Sequence, residues 1–380
     1  MNSDRDPRTL IDDLRSARAH LLRITTHLTG ERLLGPYLAI VNPPLWELGH
    51  IAWFQEYWCL RHQRNGSAHA SLMQSSDALY DSARVAHDTR WNLPLPDLAG
   101  THAYQTEVLE RVAARLGREP DNDALRYFAR LACYHEDMHA EAFRYTCQTL
   151  GYPDLMAVPC KPQNLTSQSA SDVEIPGGAF MLGASRESPF VFDNEKWAHE
   201  VVLEPFRIAR TAVTNAQFMQ FVVTGGYGRR EYWSREGWNW VTGRALAAPQ
   251  YWACQDGIWQ QRRFDGLERL DPDEPVIHVS WHEAQAYCAY ANRRLPSEAE
   301  WECAAGWNGI DGRKRGYPWG EAFPSPDQAN LESTGLESVW ACAAGDSARG
   351  LRQLVGNTWE WTATTFHPYP GFSADPYKEY

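Results

Sequence analysis

The chain has 380 residues, more than one domain usually holds, and its 43% apolar and 22% charged residues place it among globular proteins. A formal net charge of -12 argues against a nucleic-acid groove or an anionic membrane surface as partner, since both require basic patches, and leaves small molecules as the expected partners. No stretch approaches the roughly 18 apolar residues of a membrane span, the opening MNSDRDPRTLIDDLRSARAH has no apolar leader, and the eight cysteines form no C-x-x-C pair, so a cytoplasmic protein with reduced thiols is expected.

Residues 1–155 carry Leu, Ala, Arg and Glu at helical spacing, and four helical segments run through them. In the first, Leu10, Leu14, Ala17, Leu21, Ile24 and Leu28 form one apolar stripe. The second opens at Pro43 and Pro44, where proline suits a first turn, and runs LWELGHIAWFQEYWCLR with Trp46, His50, Trp53, Tyr57 and Leu60 in line. The third covers roughly Leu98 to Leu116. The fourth starts after PDND, with Asp121 or Asp123 as the expected cap, and ends at Gly151 ahead of Pro153.

On that fourth helix Leu125, Phe128, Ala132, His135, His139, Ala142 and Thr146 recur by threes and fours, so both histidines are expected on the inward stripe. His50 holds the corresponding place in the second helix, and a bundle would bring three imidazoles towards one axis. A single such histidine reads most simply as a core residue satisfied by a neighbouring carbonyl or carboxylate. Three converging ones read as metal ligands, because burying several polar rings without partners costs on the order of a few kcal/mol each, whereas one divalent cation satisfies all of them. The pattern HEDMH also fits a zinc metalloprotease with Glu136 as general base. Against that rival, no third ligand follows at metzincin spacing, the flanking helix is bundle material, and the best third histidine lies upstream.

The stretch PDLMAVPCKPQNLTSQSASD is polar with three prolines, its residues 156–172 read as a linker, and the composition changes after it. In residues 173–380, VEIPGGAFMLG and HEVVLEPFRIARTAV look like strands, and TNAQFMQFVVTGG looks like a short capped helix. Ser280 with Glu283 and Ser297 with Glu300 form two capping-box signatures. The expected fold class is therefore α+β, a helical bundle followed by a mixed domain of short elements and long loops, the kind of loops that carry sites.

Two groups of motifs in this order resemble known families. PVIHVSWHEAQAYCAYANRRLPSEAEWECAAG, YPWG, Ala329-Asn330 and LVGNTWEWT resemble the formylglycine-generating-enzyme family, whose fold is C-type-lectin-like. PPLWELGHIAWF with HEDMHAEAF resembles the DinB-type four-helix bundle of the ergothioneine-forming sulfoxide synthases, and the pairing spans nearly the whole chain. Within that group, NPPLWELGHIAWFQEYW and ALYDSARVAHDTRWNLPLPD are closest to the selenoneine synthase branch. Two departures stand out: Met138 occupies a place where these synthases often have glutamine, and the family pattern normally continues past DPYKEY into an R-G-G-S-W strand.

The resemblance implies a non-haem Fe(II) held by His50, His135 and His139, with hercynine, O2 and a thiol or selenosugar as substrates and a sulfoxide or selenoxide as product. It also implies a catalytic tyrosine late in the chain, for which Tyr377 and Tyr380 are the candidates. The trimethylammonium of hercynine calls for aromatic faces, for which Trp53, Phe54, Trp359 and Trp361 are candidates, although each is more simply a core residue. Arg84 and Arg90 are candidates for holding a substrate carboxylate, with surface salt bridging as the plainer reading, and Met138 would lie near the substrate imidazole. His87 is not expected to be a ligand. From another class, a binding module with a closed structural metal also fits the motifs.

Overall fold

The structure is a computed structural model, and it describes residues 7–63, 66–156, 171–308, 313–331 and 335–378. The chain divides into two compact units: residues 1–156 with 264–266, and residues 157–263 with 267–380. Most of the expected linker, residues 157–170, lies outside the described residues.

In the first unit, α1 (Pro7–Thr25), α2 (Pro44–Glu56), α4 (Leu98–Arg118) and α5 (Asp123–Leu150) are the long helices, and a short α3 (Ser76–Tyr80) lies between α2 and α4. Helices α1, α2 and α5 share a core of Leu21, Ile24, Leu28, Leu48, Ile51, Ala140, Phe143 and Cys147, and α4 packs against α2 and α1. Helix α2 starts at Pro44, and all thirteen of its residues are buried, so it is the central helix of the unit. It passes into a π-type turn at Tyr57–Arg61. The cap of α5 is Asn122, which accepts from the Leu125 amide at 3.1 Å, in place of the expected Asp121 or Asp123. Its other end is as expected, with Gly151 left-handed at φ 67°.

The buried arc of α5 includes Leu125, Ala132, His135 and Thr146 of the expected stripe and is broader than it. Leu125, Ala129, Ala132, Glu136, Ala140, Phe143 and Cys147 are buried, while Phe128 and Ala142 are half-buried. A core helix facing two neighbours at once buries a broader arc than one apolar stripe; His135 lies within that arc and His139 is half-buried. At its centre Glu136 is 0% exposed and bound by the Arg18 guanidinium, Nε at 2.5 Å and Nη2 at 3.1 Å, which ties α1 to α5.

In the second unit, β1 (Asp172–Ile175) pairs antiparallel with β4 (Phe206–Ala209), and β2 (Gly178–Leu182) with β3 (His199–Leu203). Strands β5 (Trp252–Gln255), β6 (Ile258–Arg263) and β7 (Gly266–Arg269) form a three-stranded sheet in that order. Helices α6 (Asn215–Val223), α7 (Arg235–Gly243), α8 (Trp281–Tyr290) and α9 (Glu298–Gly306) are short. Both expected capping boxes are formed, Ser280 with Glu283 and Ser297 with Glu300. One core gathers Phe218, Phe221, Tyr227, Trp233 and Trp252, and another gathers Ile175, Phe180, Leu182, Cys303 and Leu351.

The motif asparagines fasten the late loops. Asn330 Nδ2 donates to Asn357 Oδ1 at 3.0 Å, and Asn357 Nδ2 donates to the Glu337 carbonyl at 3.0 Å. Gly356, at φ 81°, lets the backbone approach so closely that a Cβ there would lie 2.5 Å from the Asn330 carbonyl oxygen. Among the described residues no helix is long and apolar enough to cross a membrane.

Candidate metal centre

The first unit brings His50 of α2 together with His135 and His139 of α5, one ligand atom from each lying within 4.8 Å of the others. The spacing of four on α5 puts two imidazoles on one face one turn apart. Helix α2, packed against α5, supplies the third. His50 is 3% and His135 4% exposed, while His139 is half-buried.

The hydrogen bonds around two of the rings select their tautomers. His50 Nδ1 lies 2.8 Å from the Tyr80 carbonyl oxygen, which can only accept, so Nδ1 carries the proton and Nε2 keeps its lone pair. His139 Nδ1 donates in the same way to the buried carboxylate of Glu47 at 2.7 Å. A carbonyl on one ligand and a carboxylate on another are the partners that orient metal-binding imidazoles and raise their basicity.

Aromatic rings enclose the imidazoles. His50 stacks on Trp46 at 4.9 Å and on Trp53 at 5.8 Å, and His135 lies flat against Phe54 at 3.6 Å. Burial in this setting pushes the His50 pKa down from 6.5 to about 3, with the neighbouring His139 adding to the effect. His135 is likewise held well below its ordinary value, first by burial and then by the other two histidines. Neutral rings are the state a cation requires. Three imidazole donors, two of them with Nδ1 engaged by an acceptor, fit a divalent first-row metal such as Fe(II) and, with no protein carboxylate among them, leave coordination positions over.

The protease rival has no working base in this structure, because Glu136 is buried and paired with Arg18. His87, in a 3-10 turn, points its Nε2 at the Val41 carbonyl, 2.7 Å away.

The other candidates fall in different places. Trp53 and Phe54 are buried against the imidazoles, and Trp53 Nε1 donates to Asp77 at 2.7 Å. Arg90 lies 3.9 Å over the Trp46 ring and donates to Asn42 Oδ1 at 2.7 Å and to the Val85 carbonyl at 3.1 Å. Arg84 is at the surface, paired with Asp81 at 3.2 Å. Met138 is half-buried on α5 beside His139.

Trp359, Trp361 and Tyr377 belong to the second unit. Contrary to the simple expectation of core tryptophans, Trp359 is 88% exposed and Trp361 51%, because they sit on an irregular segment without helix or strand. Tyr377 is half-buried, two residues past Asp375, which Lys196 holds at 2.6 Å. Tyr380 lies outside the described residues.

Sequence reasoning missed Glu47, Trp46 and Tyr80 as parts of this site. For Glu47 there was a signal: an acidic residue three before His50, in the mostly apolar run LWELGHIAWF, is costly to bury without a donor. Tyr80 acts through its backbone carbonyl, which no side-chain pattern reveals.

Comparison with known proteins matches residues 13–143 to the DinB superfamily and residues 159–378 to the sulfatase-modifying factor enzyme 1-like domain. A hercynine oxygenase of Mycolicibacterium smegmatis is 37% identical over 377 residues, covering 98% of this chain and 86% of that protein. One of Mycobacterium tuberculosis is 35% identical over 378 residues, covering 98% and 88%. A formylglycine-generating enzyme of Thermomonospora curvata is 36% identical over 219 residues, covering 50% of this chain and 70% of its own length. With relatives of that identity aligned along nearly its whole length, the chain belongs to the hercynine oxygenase family.

Proposed function

We propose that the protein is an Fe(II)- and O2-dependent enzyme that joins the imidazole carbon of hercynine to the selenium of a selenosugar such as 1-selenoglucose, giving a selenoxide conjugate. The reaction balances: the imidazole C–H and the Se–H bond are lost, a C–Se bond forms, one oxygen atom of O2 ends in the selenoxide and the other in water. The observation that carries the reading is the convergence of the His50, His135 and His139 imidazoles, with burial holding His50 and His135 in the neutral form. Iron bound there would supply O2 activation and a position for an anionic chalcogen.

The chain's own residues do the rest. The Tyr80 carbonyl and the Glu47 carboxylate hold the imidazoles of His50 and His139 in the metal-binding tautomer. Trp46, Trp53 and Phe54 keep water from the buried side of the ligands. Tyr377 or Tyr380 is proposed as the proton or hydrogen donor, and the exposed faces of Trp359 and Trp361 as surfaces suited to a trimethylammonium group.

The likeness of NPPLWELGHIAWFQEYW and ALYDSARVAHDTRWNLPLPD to the selenoneine synthase branch supports the selenium donor. Arg90 spends its guanidinium on Asn42, the Val85 carbonyl and the Trp46 face, and Arg84 pairs with Asp81. A second reading, sulfur transfer from cysteine or gamma-glutamylcysteine, is supported by the identity to hercynine oxygenases.

The test is anaerobic loading with Fe(II), then hercynine with selenoglucose, thioglucose, cysteine or gamma-glutamylcysteine, then air, with product masses read out. The hercynine–selenosugar conjugate is the expected product. A product from cysteine or gamma-glutamylcysteine alone selects the sulfur reading, and no conjugate with any donor overturns both.

A further inference from the structure

The segment Ser71–Tyr80 runs back along α2 and is bonded to it at four levels. Near the C-terminal end of α2, the fully buried Glu56 accepts from the Leu72 amide at 2.6 Å and from Ser71 Oγ at 2.8 Å, and the Tyr104 hydroxyl donates to the same carboxylate. Next, Asp77 Oδ1 accepts from Trp53 Nε1 at 2.7 Å, while Arg61 grips both Asp77 oxygens at 2.8 Å. Further along, Trp46 Nε1 donates to the Leu79 carbonyl at 2.6 Å. At the last level, the Tyr80 carbonyl accepts from His50 Nδ1 at 2.8 Å.

The first three levels hold the segment by hydrogen bonds to groups other than the imidazoles, although Trp46 and Trp53 also stack on the His50 ring, and together they fix where the fourth falls. A backbone carbonyl has no rotamer of its own, so its position is that of the segment carrying it. Gly49 adds to the fit: a Cβ there would lie 2.3 Å from the Tyr80 ring, so α2 admits that ring only where it has no side chain.

We propose that Asp77 and Glu56 are positioning residues for His50, holding the 71–80 segment as a strap that keeps the Tyr80 carbonyl on Nδ1 and so reserves Nε2 for the metal. This rests on the metal reading of the three-histidine site. Loss of a partner that orients a metal-bound imidazole typically weakens metal binding about 10- to 100-fold.

The experiment uses the full chain and two readouts. Nitrogen-15 NMR of the histidine side chains in the metal-free protein reports the His50 tautomer, and titration with Co(II) reports affinity. Asp77→Ala is the main variant, Asp77→Asn a milder one should the first not fold, and Leu116→Ala, a cavity at a fully buried site on α4, is the control for general loss of stability.

Wild type and Leu116→Ala are expected to show one His50 tautomer, protonated at Nδ1, with equal Co(II) affinity. Both Asp77 variants are expected to show mixed tautomers, and Asp77→Ala to bind Co(II) about tenfold or more weakly. An unchanged tautomer in the Asp77 variants, or an equal change in Leu116→Ala, overturns the strap. Failure of wild type to bind Co(II) overturns the metal reading instead, and the tautomer measurement still decides the strap.

Discussion

His50 shows how one ring is made into a ligand before any metal arrives. Its Nδ1 is committed to the Tyr80 carbonyl and its faces to Trp46 and Trp53, so burial stabilises only the neutral form. This has a sign that can be checked. The folded-state pKa, about 3, lies below the ordinary 6.5, so between those values the unfolded chain binds the proton and the folded one does not. The metal-free protein is therefore expected to lose stability as pH falls through 6.5 towards 3, and His50→Gln to flatten that part of the profile. Denaturant melts of both proteins across that pH range measure it, and parallel profiles would contradict it.

At the scale of elements, two interlocks hold the site's helices. The Arg18–Glu136 pair is 5% and 0% exposed, and removing one partner of a buried pair leaves an uncompensated charge that costs about 3–5 kcal/mol. Arg18→Ala is expected to destabilise by that much, and Arg18→Leu combined with Glu136→Leu to recover most of it. Chemical denaturation measures both, and a small effect of the single change would mean that water or another group serves Glu136. Gly49 is the second interlock. Gly49→Ala drives a methyl into the Tyr80 ring, which is 0% exposed. Overpacking of this kind costs about 1–3 kcal/mol. Tyr80→Leu is expected to relieve it, so that the double variant is less unstable than the sum of the singles.

For the whole molecule, metal and stability are linked by mass action. A ligand that binds only the folded state at 100 times its Kd adds about 2.7 kcal/mol. Fe(II) added without oxygen is expected to raise the melting temperature of the helical unit, and a chelator to reverse the rise. His139→Ala is expected to abolish the shift. Calorimetry with and without metal gives the answer, and a wild-type melt indifferent to Fe(II) and Co(II) would contradict the site.

Much of this molecule was legible in its amino-acid order. The helices of the first unit follow from apolar spacing, Pro44 at a helix start and Gly151 at a helix end, because these are local properties of a few neighbouring residues. The capping boxes at Ser280 and Ser297 are local in the same sense, and so is the pairing of His135 with His139 one helical turn apart. How wide an arc of α5 is buried, and that Glu136 belongs to Arg18 rather than to a metal-bound water, were decided by packing. The partners lie far along the chain, 118 residues apart for Arg18 and Glu136. The His50 and His139 tautomers also belong to the tertiary structure, since Tyr80 acts through its carbonyl and Glu47 reaches His139 from another helix. Residue identity along the chain sets which donors and apolar faces are available. Only the folded arrangement sets which of them meet, because a hydrogen bond is made by position and not by composition.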